Sequence, residues 1–143
     1  MPQLHTIVYV STANHLLNEI ELEALLSESR ALNLQNSITG VLLYNDGNFM
    51  QCFEGAPQAV TETYERIVNS HQHKDIIELM NEPIACRSFA DWQMGFVHST
   101  RSDILRLASE NWRQHLNGES AEVSSSLKGL SLLQNFCKGA GRA

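Results

Sequence analysis

The chain predicts an α+β fold: a ferredoxin-like β-α-β-β-α-β-β sheet with two helices on one face, followed by a C-terminal helical extension. Three observations carry that expectation. Short β-branched and aromatic runs are separated by two longer stretches of helical period. The first six segments follow the order of the split β-α-β unit, which lays two helices side by side on one sheet face. Several strands are apolar on both faces, so the second face also needs cover, and the last 45 residues have a helical pattern that can supply it.

Leu4 to Ser11, LHTIVYVS, reads as the first strand, apolar on both faces and therefore central. Asn18 to Leu32 reads as a helix, with Asn18 as N-cap, Glu21 three residues on as in a capping box, and a stripe of Leu22, Leu25, Leu26 and Leu32. The polar stretch Asn33 to Asn36 breaks that pattern. Ile38 to Tyr44 and Phe49 to Glu54 read as a hairpin around Asp46-Gly47, since Asp-Gly supplies the positive φ of a tight turn. Gly55-Ala56-Pro57 opens a second helix reaching about Ser70, with Val60, Tyr64, Ile67 and Val68 as its buried stripe. Asp75 to Glu82 and Asp91 to Val97 read as the last two strands, with Trp92 and Met94 on one face of the latter. Thr100 to about Leu116, opened by a Thr100 and Asp103 cap pair, and Glu119 to about Cys137, with a Leu127, Leu130, Leu133, Phe136 stripe, read as two tail helices. They either cover the open sheet face or meet a partner. The expected division is a domain over residues 1–98 and an extension over 99–143 packing on the sheet.

Composition narrows the function. A net charge of −6 with no basic run argues against nucleic acid, whose binding depends on Lys and Arg at phosphates. No apolar run approaches the ~18 residues of a membrane span, and the start of the chain lacks a signal-peptide pattern. The default expectation is a cytoplasmic protein. Cys52, Cys86 and Cys137 fit no metal spacing, and Cys52 and Cys86 read as small core residues. His71 and His73 read as a solvated helix end, too few to hold a metal alone. A nucleophile with its base, a carboxylate pair and a phosphate-binding glycine loop are all missing, so no enzymatic activity is expected.

Gln51 is the residue out of place. It lies mid-strand between Phe49 and Phe53, where a buried amide without partners costs roughly 1–3 kcal/mol. Either a neighbouring group or a ligand satisfies it. Tyr9 poses the same question on the first strand, and Asn36 stands at a polar corner before Ser37-Ile38-Thr39-Gly40.

Taken together, Ile7-Val8-Tyr9-Val10-Ser11, Asn36-Ser37-Ile38-Thr39-Gly40, Phe49-Met50-Gln51-Cys52-Phe53-Glu54-Gly55 and Phe89-Ala90-Asp91-Trp92-Gln93-Met94, with Glu62 to Ile67 on the second helix, resemble the BLUF family (blue light using flavin) over about residues 4 to 97. The resemblance implies a blue-light photoreceptor with a non-covalent flavin, FAD or FMN, between the two helices and the sheet. It implies that Tyr9 and Gln51 are the photoactive pair, that Asn36 bonds the polar edge of the ring, and that Met94 or Trp92 is the exchangeable neighbour of Gln51 and relays the signal. His73, with Arg66 and Arg30 as phosphate neighbours, would lie toward the outer end of the flavin chain. Family members often carry an acidic residue and then Arg-His after the second helix. Here the stretch is Ser70-His71-Gln72-His73, which leaves FAD or FMN open. The 45 residues after position 98 are too few for an enzymatic effector, so the expected partners are a separate effector protein and a second copy in a homo-oligomer. Two rivals are a light-independent binding module of the same fold and a small hydrolase of acyl phosphates. The hydrolase would want an arginine-lined anion loop, and Thr12 to Leu17 has no arginine.

Overall fold

The computed structural model describes residues 3–45, 47–71, 73–109 and 132–137. Its elements run β1 (Leu4–Ala13), α1 (Glu19–Asn36), β2 (Thr39–Asn45), β3 (Asn48–Gly55), α2 (Pro57–Val68), β4 (His73–Ile84), β5 (Gly95–His98) and α3 (Arg101–Ala108). The sheet order is β4-β1-β3-β2-β5. The first four strands pair antiparallel, as a split β-α-β unit requires, and β5 joins the free edge of β2 in parallel.

Local chemistry sets the boundaries. At the start of α1 the Asn18 side chain accepts from the Glu21 N–H at 2.8 Å, and the Glu21 carboxylate accepts from the Asn18 N–H at 3.1 Å. This reciprocal pair satisfies two N–H groups that no earlier turn can bond. The helix does not stop at the polar stretch but runs through Asn36, closed by Ser37 in the left-handed region at φ 56°. The β2–β3 hairpin closes where Asn45 faces Asn48, with Gly47 at φ 94°; Asp46 lies outside the described residues. Pro57 opens α2, where its missing N–H costs nothing. The buried stripe of α2 differs from expectation: Val60 and Thr63 are buried, Tyr64 and Ile67 are half-buried, and Val68 is 51% exposed. Position 68 is one residue round from Ile67, which turns it away from the sheet.

The last strand is also shorter than expected. Asp91 to Met94 form turns and bends, and β5 begins at Gly95. The Trp92 N–H bonds the Phe89 carbonyl at 3.0 Å and the Trp92 carbonyl accepts from Gly40 N at 2.8 Å. That local turn prevents the strand-like alternation from starting earlier. Trp92 and Met94 therefore do not share a face. Met94 joins the apolar cluster beneath α1, and Trp92 packs against the cluster on the opposite side of the sheet.

The two faces have different cores. One holds Val8, Val41, Leu43, Met50, Cys52 and Val97, covered by Ile104 and Leu107 of α3 and by Leu133 and Cys137 of the helical residues 132–137. Burying an aliphatic side chain fully contributes about 1.5–3 kcal/mol, so these described tail residues are integral to the core. Residues 110–131, with Leu127 and Leu130, lie outside the described residues. Cys86 is exposed, contrary to the core role expected for it. Among the described residues no helix is long and apolar enough to cross a membrane, and no group of His, Cys, Asp or Glu could hold a metal ion.

Candidate functional site

The face carrying the two long helices holds two separate apolar clusters. Leu22, Leu25 and Leu26 of α1 sit with Leu42, Tyr44, Phe49 and Met94, whereas Val60, Tyr64 and Ile67 of α2 sit with Ile7, Tyr9 and Phe53. Between them lies a cleft that opens to solvent. Leu25, Leu32, Leu42, Phe49 and Ile67 supply apolar wall. Tyr9, Asn33, Gln51 and Thr63 bring polar groups to the same space, His73 also lines it, and Arg66 stands on the α2 side.

Strand register builds the floor. Tyr9 on β1 faces Gln51 on β3, which faces Leu42 on β2, so the three form one row across the sheet. Tyr9 and Gln51 are 3% and 8% exposed. The Tyr9 hydroxyl donates to Gln51 Oε1, and Gln51 Nε2 faces Met94 Sδ at 3.7 Å. The amide is thus oriented by one good donor and one weak thioether acceptor. Its carbonyl is fixed by the phenol, while its NH₂ group has spare capacity. Burial pushes the Tyr9 phenol well above the ordinary tyrosine range, and the neighbouring Tyr64 adds to the rise. Tyr9 therefore remains a neutral O–H donor throughout the physiological range.

The other expected residues divide. His73 lines the cleft, but Nε2 meets the Ile67 carbonyl and Nδ1 meets the Ser11 hydroxyl, each at 2.8 Å. Both nitrogens are used within the protein, so the part it offers the cleft is its ring. It is half-buried in β4 and is not part of a solvated helix end. Arg66 lines the cleft from the last turn of α2. Arg30 turns instead to the segment before β5, donating to the Met94 carbonyl at 2.9 Å. Trp92 is not beside Gln51; its ring lies over Gly95, where an added Cβ would fall 2.1 Å from the ring. Gln72 lies outside the described residues.

Asn36 is displaced from the role expected of it. It is not among the cleft-lining residues, and its Nδ2 bonds back to the Leu32 carbonyl at 2.9 Å on its own helix. The asparagine at the cleft is Asn33, 3% exposed, with Nδ2 donating to the Gln93 carbonyl at 2.6 Å. Sequence reasoning also passed over Thr63 as a site residue; its hydroxyl is buried without a hydrogen-bond partner among the described residues. The available signal was its place one turn from Val60 on the buried side of α2.

Comparison with known proteins places these features in a wider set. The model of the BLUF family, sensors of blue-light using FAD, matches residues 4–95. The chain is 34% identical over 92 residues to the photoactivated adenylate cyclase subunit beta of Euglena longa, a match covering 64% of this chain and 11% of that protein. It therefore spans about a tenth of the length of such curated relatives. Among solved structures it resembles the dark state of the BLUF protein BlrB, with TM-score 0.64 and 30% identity, over 93% of this chain and 98% of that one. It also resembles Klebsiella pneumoniae BlrP1 with FMN and cyclic diGMP, with TM-score 0.61 and 29% identity, over 73% of this chain and 29% of that one.

Proposed function

The chain belongs to the BLUF family of blue-light flavin sensors, and from that premise we propose that the cleft between α1 and α2 holds the flavin and that Tyr9 and Gln51 are its photoactive pair. The observation that carries the reading is the Tyr9–Gln51–Met94 chain on the cleft floor, a buried amide oriented by a phenol. The cleft fits a flavin on three grounds. Apolar walls suit a flat ring system, the spare amide hydrogens and the Asn33 side chain suit its polar edge, and Thr63 has a buried hydroxyl still to be satisfied. BLUF domains take FAD or FMN. Asn33, in place of Asn36, is the side chain we assign to the ring edge. Arg66 is the cation assigned to the phosphate end.

A bound flavin supplies absorption of blue light and, once excited, a strong pull on an electron. Tyr9 is placed to yield an electron and a proton and to take them back. The Gln51 amide has donors on one side and an acceptor on the other, so turning or tautomerising it changes which atoms meet Tyr9, Met94 and the cleft. In the present orientation the phenol donates to the amide. In a turned one Nε2 would donate to the Tyr9 oxygen and Oε1 would face the Met94 sulfur, which has no hydrogen to offer. Met94 thus favours the first arrangement, and it and Trp92 are the residues through which we route the change outward. In this division residues 1–98 form the flavin-binding domain, residues 99–143 the output extension, and a separate effector protein and a second copy of the chain are the partners.

The test is the visible spectrum of the purified protein in the dark and under blue light. Flavin bands that move slightly to the red and recover in darkness are expected. A colourless protein that takes up no added flavin would overturn the assignment and favour a light-independent binding module. Thr63→Val gives an independent check. Without a ligand it removes a polar atom that has no partner, so thermal stability should hold or rise. With flavin as that partner, retention on dilution should fall by roughly 5- to 100-fold, the worth of one buried hydrogen bond.

A further inference from the structure

Glu54 is a carboxylate with no access to solvent, three residues beyond Gln51 on β3. Its position on the strand places it on the face opposite the cleft. Oε1 accepts from the Ser88 N–H at 2.9 Å, and Oε2 accepts from the Phe89 N–H at 2.7 Å and the Thr39 hydroxyl at 3.1 Å. Arg87 adds bonds to the Thr39 hydroxyl at 2.9 Å, the Glu54 carbonyl at 3.2 Å and the Ser37 carbonyl at 2.9 Å. Burial raises the Glu54 carboxyl above its ordinary range against the pull of these donors. The segment thus held is the one that ends in Trp92 and Met94.

The same segment has a third attachment. The Ser88 carbonyl accepts from Gln134 Nε2 at 2.9 Å. Gln134 belongs to the helical residues 132–137, outside the residues matched by the family model. Ser88 is therefore held through its N–H by the strand of Gln51 and through its C=O by the tail. At its other end the segment is tied to α1, with Asn33 on the Gln93 carbonyl and Arg30 on the Met94 carbonyl.

We propose that Glu54, Ser88 and Gln134 form a clasp that couples the Gln51–Met94 contact to the C-terminal helix, with Glu54 and Gln134 as positioning residues, and that this clasp loosens in the lit state. The inference rests on the photoreceptor reading above. Met94 and Ser88 are ends of one short segment pinned at both, so a change of Met94 beside Gln51 loads the Ser88 end. Release there frees the Gln134 bond and the buried Leu133 and Cys137 beside it. Linkage makes the coupling reciprocal. Removing the tail bond must alter how long the lit state lasts, although Gln134 lies across the sheet from the cleft.

The experiment uses the full chain with flavin bound and reads two quantities. One is the rate at which a maleimide labels Cys137, resolved by peptide mass spectrometry, in darkness and in blue light. The other is the rate of dark recovery of the absorption shift. In the unmodified protein Cys137 should label faster in light by about three- to tenfold, the worth of one net hydrogen bond. Gln134→Leu should keep the dark spectrum and the size of the red shift, bring the light-to-dark labelling ratio close to one, and change dark recovery by a similar factor. Glu54→Gln should do the same by placing an NH₂ group against a backbone N–H. Gln134→Leu stands as the decisive variant if Glu54→Gln fails to fold. A light-independent Cys137 rate in the unmodified protein, or an unchanged ratio and recovery in Gln134→Leu, overturns the clasp while leaving the photoreceptor reading intact. Absence of any red shift in the unmodified protein overturns the reading beneath it.

Discussion

Tyr9→Phe is expected to give a yellow, flavin-loaded protein whose spectrum no longer shifts in blue light. The substitution removes one oxygen and keeps the ring that packs edge-on to Phe53, at 6.3 Å between centroids. The apolar cluster beneath α2 is therefore preserved, and so is the cleft wall. What disappears is the only strong donor to Gln51 Oε1 among the described residues. The remaining polar contact of the amide among the described residues is its 3.7 Å approach to Met94 Sδ, a weak bias that cannot hold the amide in one orientation without the phenol. Losing one partner of a buried hydrogen bond costs about 1–3 kcal/mol, so the balance between amide arrangements moves by roughly 5- to 150-fold. The variant also lacks the phenol O–H that would give up and retrieve a proton. Both losses act in one direction, and the light-minus-dark difference at the flavin bands should fall at least tenfold. Tyr64→Phe is the matched control. Its ring lies 6.3 Å from Tyr9, and burial together with Glu78 raises its pKa to about 12. The Tyr64 hydroxyl bonds Glu78, and among the described residues it is Tyr9 that bonds Gln51, so removing the Tyr64 hydroxyl should leave the shift in place. A Tyr9→Phe protein that shifts like the unmodified one would remove Tyr9 from the photochemistry.

The parts of this fold that were legible in the sequence are those set by neighbours along the chain. Asn18 and Glu21 are three residues apart, and their reciprocal bonds form as the spacing demands. Gly47 marks a turn because the turn needs its positive φ. Alternation along β1 and β3 put Tyr9 and Gln51 among core residues, and a buried amide there was conspicuous. The misplacements come from contacts between distant segments. Asn33 and Asn36 differ by about 60° around a helix. Only the packing of α1 against the segment before β5 decides that Asn33 faces the cleft while Asn36 bonds its own helix. The start of β5 was misread because residues 91–94 alternate like a strand, whereas Gly40 N fixes the Trp92 carbonyl from another strand. Glu54 was legible only as one residue of a strand motif, since its partners lie far along the chain at residues 39, 88 and 89. A carboxylate ending an apolar strand looks like a step into solvent until those partners are known.

Gly40→Ala should be the most destabilising small change in the molecule. A Cβ at Gly40 would sit 2.0 Å from the Cys52 carbonyl oxygen and 2.9 Å from the Phe53 Cα. Both are backbone atoms of β3, whose register with β2 pairs Gly40 with Phe53. No rotamer change can make room, so the strands must separate locally or the ladder must slip. Ordinary overpacking of a core costs about 1–3 kcal/mol. A clash against an immobile ladder belongs with the rarer losses of about 4 kcal/mol or more. For a chain of this size that corresponds to a melting temperature lower by roughly 15 °C. The damage also has a direction. The Gly40 N–H holds the Trp92 carbonyl at 2.8 Å, and the neighbouring rows of the sheet contain Gln51 and Leu42. Moving β2 therefore disturbs the cleft floor and the segment bearing Met94 together, and flavin should be retained less tightly in the same samples that melt early. Thermal melts with and without added flavin test this. A drop below about 5 °C with flavin retained would mean that β2 can shift without dragging its neighbours, and the row of Tyr9, Gln51 and Leu42 would then be less rigidly tied to the hairpin than the register implies.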